Sequence, residues 1–191
     1  MHNSRIRGIV DTGRFDYGPE RSKLLVRLWR ILAKGRPLGP TQIDAVITAT
    51  GMDPGDAEAF LRPISERDDT DRIVGLLGLS LHEHPHQFII AGRTFSTWCA
   101  VDTLFLPAML NSEAIVESQS PESARKIRVV IGVDGVRELD PPSAAVSLPS
   151  VQSGQVDTSS TQGIWSAFCQ RIHFFADAAE ARSWCKGRGE M

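Results

Sequence analysis

The chain has 191 residues, of which 41% are hydrophobic and 23% charged, and its 21 Lys+Arg against 23 Asp+Glu leave a formal net charge of -2. That length suits one or two small domains with a buried core that needs neither disulfides nor a structural metal, and the near-balanced charge excludes a global positive field that would draw the chain onto nucleic acid or an anionic membrane. No apolar stretch approaches the roughly 18 to 20 residues of a membrane span, and MHNSRIRGIV has no apolar run followed by a cleavage site, so a cytoplasmic protein is expected.

In chain order, residues 1–20 read as an N-terminal extension. SKLLVRLWRILAKG follows, with Leu24, Leu25, Leu28, Ile31 and Leu32 at three- and four-residue spacing, Ser22 as N-cap and Gly35 as stop, which predicts an amphipathic helix. Pro40 and Thr41 open a second helix that Gly51 ends. Asp53-Pro54 opens a third, shortened or kinked by Pro63. RIVGLLGLSLHE and FIIAGRTFSTW, joined by HPHQ, read as a β pair, and with the helices they predict a winged-helix-like domain over residues 21–95. That scaffold can bind DNA or serve as a packing platform, and fold alone does not choose.

Residues 96–191 predict a second, α+β unit with a small mixed or antiparallel sheet. Ala100, Leu104 and Leu106 suit a short buried helix ending near Pro107. KIRVVIGVDGVREL and AAVSLP read as strands, with Asp134-Gly135 as a hairpin turn. Residues 149–163, rich in Ser, Gly, Thr and Gln, read as a mobile loop, IWSAFCQRIHFF as a final strand, and DAAEARSWCKG as a helix. No internal repeat is visible.

Three cysteines, Cys99, Cys169 and Cys185, are an odd number without CxxC spacing, which argues against a disulfide framework or a zinc ribbon. On a helix, Cys99 and Asp102 share a face, so the carboxylate can take the thiol proton and later hand it to a substrate atom. Taken singly, Cys99 and Cys169 read as inert core cysteines, which behave as small hydrophobes.

Three separated segments, from about Ser22 to Trp184, together resemble one known family. TWCAVDTLFLPAML is similar to the signature of the organomercurial (alkylmercury) lyases, FCQRIHFFAD to that family's second cysteine segment, and LAKGRPLGP to its N-terminal block. The resemblance implies cleavage of a carbon–mercury bond to give a hydrocarbon and Hg(II), by a triad matching Cys99, Asp102 and Cys169. It implies no cofactor, mercury being substrate and product, with low-molecular-weight thiols or a mercuric reductase as acceptors of Hg(II). Soft thiolates bind mercury far better than oxygen or nitrogen ligands do, which makes two cysteines a sensible clamp. Gln170 stands where some members carry a further cysteine and Ser120 or a neighbour where some carry a structural one, and the sequence stops soon after Gly189, short of the tail of longer members.

Trp98 is a candidate wall for the organic group, since a water-excluding surface helps a proton reach carbon, and equally a core anchor. His82, His84 and His86 alternate as metal ligands would, but Pro85 interrupts the strand and they read as solvated turn residues. Cys185 could relay mercury onward, though a passive half-buried or surface thiol is the simpler reading. Arg125, Lys126 and Arg128 read as a solvated basic face.

Two alternatives carry different tests. A winged-helix regulator sensing a soft metal would bind DNA through residues 40–67, yet that segment sets Arg62 and Arg67 against Asp44, Asp53, Asp56, Glu58 and Glu66, the wrong sign for phosphates. A non-catalytic mercury-binding protein would keep the clamp without releasing hydrocarbon.

Overall fold

A computed structural model describes residues 17–148 and 160–188. The first helix, α1 (Gly18–Leu32), starts four residues before the expected cap at Ser22, with Pro19 in its first turn, where a missing N–H costs nothing. Helix α2 (Pro40–Thr50) ends at Gly51, whose φ of 77° is the left-handed cap that glycine favours. Helix α3 (Pro54–Leu61) is capped by Asp53, whose carboxylate accepts the N–H groups of Gly55 and Asp56 at 2.8 and 3.1 Å, and it tightens into a single 3-10 turn, Arg62–Ile64, at Pro63.

Eight strands then form one antiparallel sheet in the order β1-β2-β3-β5-β4-β6-β7-β8. They are β1 (Ser65–Arg67), β2 (Ile73–Leu76), β3 (Leu79–Ser80), β4 (His86–Ile90), β5 (Arg93–Thr97), β6 (Ala114–Gln119), β7 (Lys126–Gly132) and β8 (Gly135–Asp140). The architecture is the expected α+β class with an antiparallel sheet. What reads as one run, RIVGLLGLSLHE, is two strands folded at Leu77-Gly78, whose φ values of 34° and 98° make a two-residue turn. A matching turn at Ala91-Gly92, with φ of 49° and 72°, joins β4 to β5. Both are the left-handed pairs that suit the twist of a hairpin. Strand β6 was not expected from the sequence; it pairs with β4 on one side and β7 on the other, so the sheet runs unbroken past residue 95.

Helix α4 (Ala100–Leu110) continues through Pro107 instead of ending there. Pro107 lacks only its own N–H, and the helix closes one turn later at Asn111, whose left-handed φ of 52° lets Ser112 donate to the Pro107 carbonyl at 3.0 Å. Strand β9 (Ala145–Val146) pairs with β10 (Phe174–Phe175) in a separate two-stranded sheet, and α6 (Ala178–Gly187) closes the described chain. Of the stretch expected to be a mobile loop, 149–159 lies outside the described residues. Ser160 caps α5 (Thr161–Ala167) through its hydroxyl, which accepts the Gly163 N–H at 3.0 Å, so 160–163 are helix start and not loop.

One core runs through both halves: Leu24, Leu28 and Leu32 of α1 join Phe88, Val116, Val129, Cys99 and Ile172. Trp29 ties α1 to the first hairpin by donating its indole N–H to the Leu76 carbonyl at 2.8 Å. Among the described residues no helix is long and apolar enough to cross a membrane.

The reading of His82, His84 and His86 as solvated turn residues holds only for His82. His84 is half-buried with Nε2 2.7 Å from a Glu66 oxygen, and His86 is buried with Nδ1 2.7 Å from the Ser118 hydroxyl. The partner of His84 lies upstream on β1, so spacing within the histidine run could not reveal it. Burial, then the nearby His173, pushes the His86 imidazole down to about 3. Its unfolded value is about 6.5, so its neutral form contributes stability above that pH, and the contribution is lost as pH falls from 6.5 toward 3. A thermal unfolding series across that window should therefore lose up to about 1.4 kcal/mol per pH unit to this one proton. His86→Gln should start less stable and show a flatter acid limb; parallel curves would remove His86 as the cause.

Candidate active site

Strand β5 lies between β3 and β4, and its last residue, Thr97, is paired with His86 on one side and Leu79 on the other. The chain leaves this interior position through Trp98, whose N–H donates to the Gly78 carbonyl at 3.0 Å, and arrives at Cys99. Cys99 is the N-cap of α4, with extended φ and ψ of -148° and 169°. Its Sγ receives the backbone N–H of Asp102, and its own N–H donates to the Asp102 carboxylate at 2.8 Å. This is the reciprocal geometry of a capping box, with a thiol in the hydroxyl's place. The i, i+3 spacing thus brings thiol and carboxylate together through a cap, at the helix end where negative charge is favoured.

Cys169 comes from the other end of the chain and corrects the expectation of a strand there. It opens a 3-10 turn, Cys169–Arg171, directly after α5. The run IWSAF has Ile164, Trp165 and Phe168 at helical spacing behind a serine cap, a pattern that alternation-based reading overlooks. Beyond the turn, the Ile172 carbonyl accepts the Ala100 N–H at 3.2 Å, so one backbone hydrogen bond ties the second cysteine's segment to the first. The Sγ atoms of Cys99 and Cys169 and a carboxylate oxygen of Asp102 all lie within 4.8 Å of one another.

The cluster is dry. Cys99 is 0%, Cys169 3% and Asp102 9% exposed. Burial pushes the Asp102 carboxyl up to about 6, against the lowering effect of its bonds to Cys99 and of His84 nearby. Burial pushes the Cys99 thiol well above its ordinary range, reinforced by the neighbouring Cys169 and the Asp102 charge. Near neutral pH the pair therefore consists of a protonated thiol beside a carboxylate, with the second sulfur close by, a donor set that suits a soft cation.

The remaining candidates fall elsewhere. Trp98 is 3% exposed, and its Nε1 has no hydrogen-bond partner among the described residues. Cys185 is half-buried against the small cluster of Phe175, Ala181 and Trp184, outside the cysteine–aspartate group. Arg125, Lys126 and Arg128 are exposed as expected, and Arg128 pairs with Glu138 at 3.2 Å. The histidines join no three-ligand metal cluster among the described residues. Sequence reasoning missed Tyr17, whose half-buried phenol is raised by burial and by the Asp102 charge, and Gly78, which lies against Asp102.

Residues 79–191 match the family model described as alkylmercury lyase. A Pseudomonas putida protein named alkylmercury lyase is 34% identical over 186 residues, covering 96% of this chain and 82% of its own length. The chain belongs to the alkylmercury lyase family. Members from Streptomyces lividans and Bacillus cereus are 33% and 32% identical, covering 82% and 87% of this chain and 71% and 73% of their own lengths. The crystal structure of the mercury-bound form of MerB2 shares the fold, with a TM-score of 0.69 at 22% identity over 92% of this chain and 83% of that one. The family match takes in both cysteines and Asp102.

Proposed function

We propose that this alkylmercury lyase family member cleaves the carbon–mercury bond of alkyl and aryl mercurials, releasing the hydrocarbon and Hg(II), and that Cys99, Asp102 and Cys169 do the chemistry. The observation that carries the reading is the meeting of two thiols and one carboxylate within 4.8 Å, drawn from residues seventy positions apart. One thiol displaces the thiol carried by R–Hg–S–R′, forming a Cys–S–Hg–R bond and releasing R′SH. The second cysteine then binds mercury as its proton passes to Asp102. With two sulfur donors on the metal, the carbon becomes electron-rich and takes that proton, so the C–Hg bond breaks as the C–H bond forms. Hg(II) remains as Cys–S–Hg–S–Cys until two external thiols exchange for the cysteines and restore their protons.

On this reading the protein needs no cofactor, works in the cytoplasm, and passes Hg(II) to low-molecular-weight thiols or a mercuric reductase. Residues 21–95 act as a winged-helix-like packing platform and 96–191 as the catalytic unit; the boundary falls inside β5, and the two are joined through the β4–β6 pairing and through Ser96 and Thr97, which pair with β3 and β4. Trp98 forms part of the apolar wall. The deciding experiment is release of methane from methylmercury, or benzene from phenylmercury, in excess small thiol. Repeated turnover supports an enzyme; stoichiometric uptake without hydrocarbon would make the protein a mercury sponge.

A further inference from the structure

We propose that Gly78 is a positioning residue for Asp102: the bare Cα at the tip of the β2–β3 hairpin is the surface on which the carboxylate rests, and it fixes that carboxylate for proton delivery. The inference rests on the functional reading above, because its value lies in where Asp102 is aimed. A Cβ at Gly78 would lie 2.5 Å from Asp102 Cγ, 2.8 Å from its Cβ and 2.8 Å from Oδ1, distances that side-chain atoms do not tolerate. Asp102 cannot swing clear at no cost. Its other side is held by the Cys99 N–H at 2.8 Å, and its backbone is in the first turn of α4.

The hairpin is itself anchored at this point. The Gly78 carbonyl accepts the Trp98 N–H at 3.0 Å, one residue before Cys99, and Leu77 donates to the Ile64 carbonyl at 2.8 Å. The same tip thus touches the carboxylate and holds the peptide that leads to the first thiol. A residue with a side chain at 78 must push Asp102 out of its place, move the hairpin away from Trp98, or both. Displacement of a reacting group by about 1 Å is enough to cost about 10²-fold in rate.

The molecule supplies a matched control. Gly92 occupies the same position in the Ala91-Gly92 turn, with φ of 72°, yet a Cβ there would meet nothing within 4 Å. Alanine at either position is strained by its positive φ; only at 78 does the new methyl strike the carboxylate. Gly78→Ala should therefore lower kcat for hydrocarbon release by about 10²-fold while mercurial is still captured by the two thiols, seen as ultraviolet mercury–thiolate absorbance. Gly92→Ala should lose thermal stability with kcat and capture near parental values. A folded Gly78→Ala with parental kcat, or one that loses capture and turnover together, overturns the proposal.

Should Gly78→Ala not fold, the substitution is placed in the Asp102→Gly background, which removes all three atoms the methyl would meet. Recovery of folding there, without any such recovery for Gly92→Ala, supports direct contact, and continued failure overturns it. That cycle reads melting temperature alone. It tests the contact even if the parent releases no hydrocarbon, so loss of the functional reading and loss of the positioning role remain distinguishable.

Discussion

Replacing Asp102 by Asn should leave a protein that takes up organomercurial and releases almost no hydrocarbon, with the single-turnover rate falling roughly 10²- to 10⁴-fold, the range lost with a positioned acid–base group. The amide oxygen of Asn can still accept the Cys99 N–H, so the helix cap and the fold are retained. What disappears is a group that holds a proton between two steps: an amide neither accepts one from a thiol nor gives one to carbon near neutral pH. Mercury capture, followed by thiol titration and ultraviolet absorbance, should match the parent. Parental hydrocarbon release by Asp102→Asn would end the assignment of Asp102 as proton carrier.

The second large effect concerns the jaw that arrives last in the sequence. Cys169→Ser keeps the size and polarity of the side chain and substitutes a hard hydroxyl for a soft sulfur. Mercury bound through Cys99 alone lacks the second donor that enriches the carbon, and hydrocarbon release should fall by at least about 10²-fold. Excess small thiol should not restore it, because Cys169 is 3% exposed and a diffusing thiol does not reproduce a ligand fixed within 4.8 Å. Cys185→Ser is the control for thiol count. It lies outside the cluster and should turn over as the parent does. Equal rates for Cys169→Ser and Cys185→Ser would show that the second sulfur does not come from this chain's residue 169.

The short-range signals in the sequence identified the three N-terminal helices and the last one well, missed α5, and identified the sheet poorly. Gly51 and Asp53 terminate and start helices by local chemistry, and both stand where expected. Strand β6 carries Glu117, Ser118 and Gln119 in its second half, so its strand character comes from pairing with its neighbour β7 and with β4, which lies more than twenty residues upstream. The turn at Leu77-Gly78 was hidden because leucine is a poor residue for positive φ, and only the isolated glycines of VGLLGLS hinted at a close backbone approach. Cys99 and Asp102 were legible from i, i+3 spacing. Their convergence with Cys169 was not, because it depends on a carbonyl at Ile172 meeting an N–H at Ala100. Family resemblance supplied that link. His86 and Gly78 had no local pattern to betray them, since their partners, Ser118 and Asp102, lie 32 and 24 positions away.

The seam between β4 and β6 has a practical outcome for anyone dividing the molecule. A cut after residue 95 would strip β4 of its neighbour from Ala114 to Glu117 and leave the fragment with a bare, flat row of amides beside Phe88 and Ile90. The complementary piece would carry Val116 and Ile115 on an equally naked border. Both fragments should self-associate into insoluble material when made alone, and mixing them during refolding should rescue soluble protein.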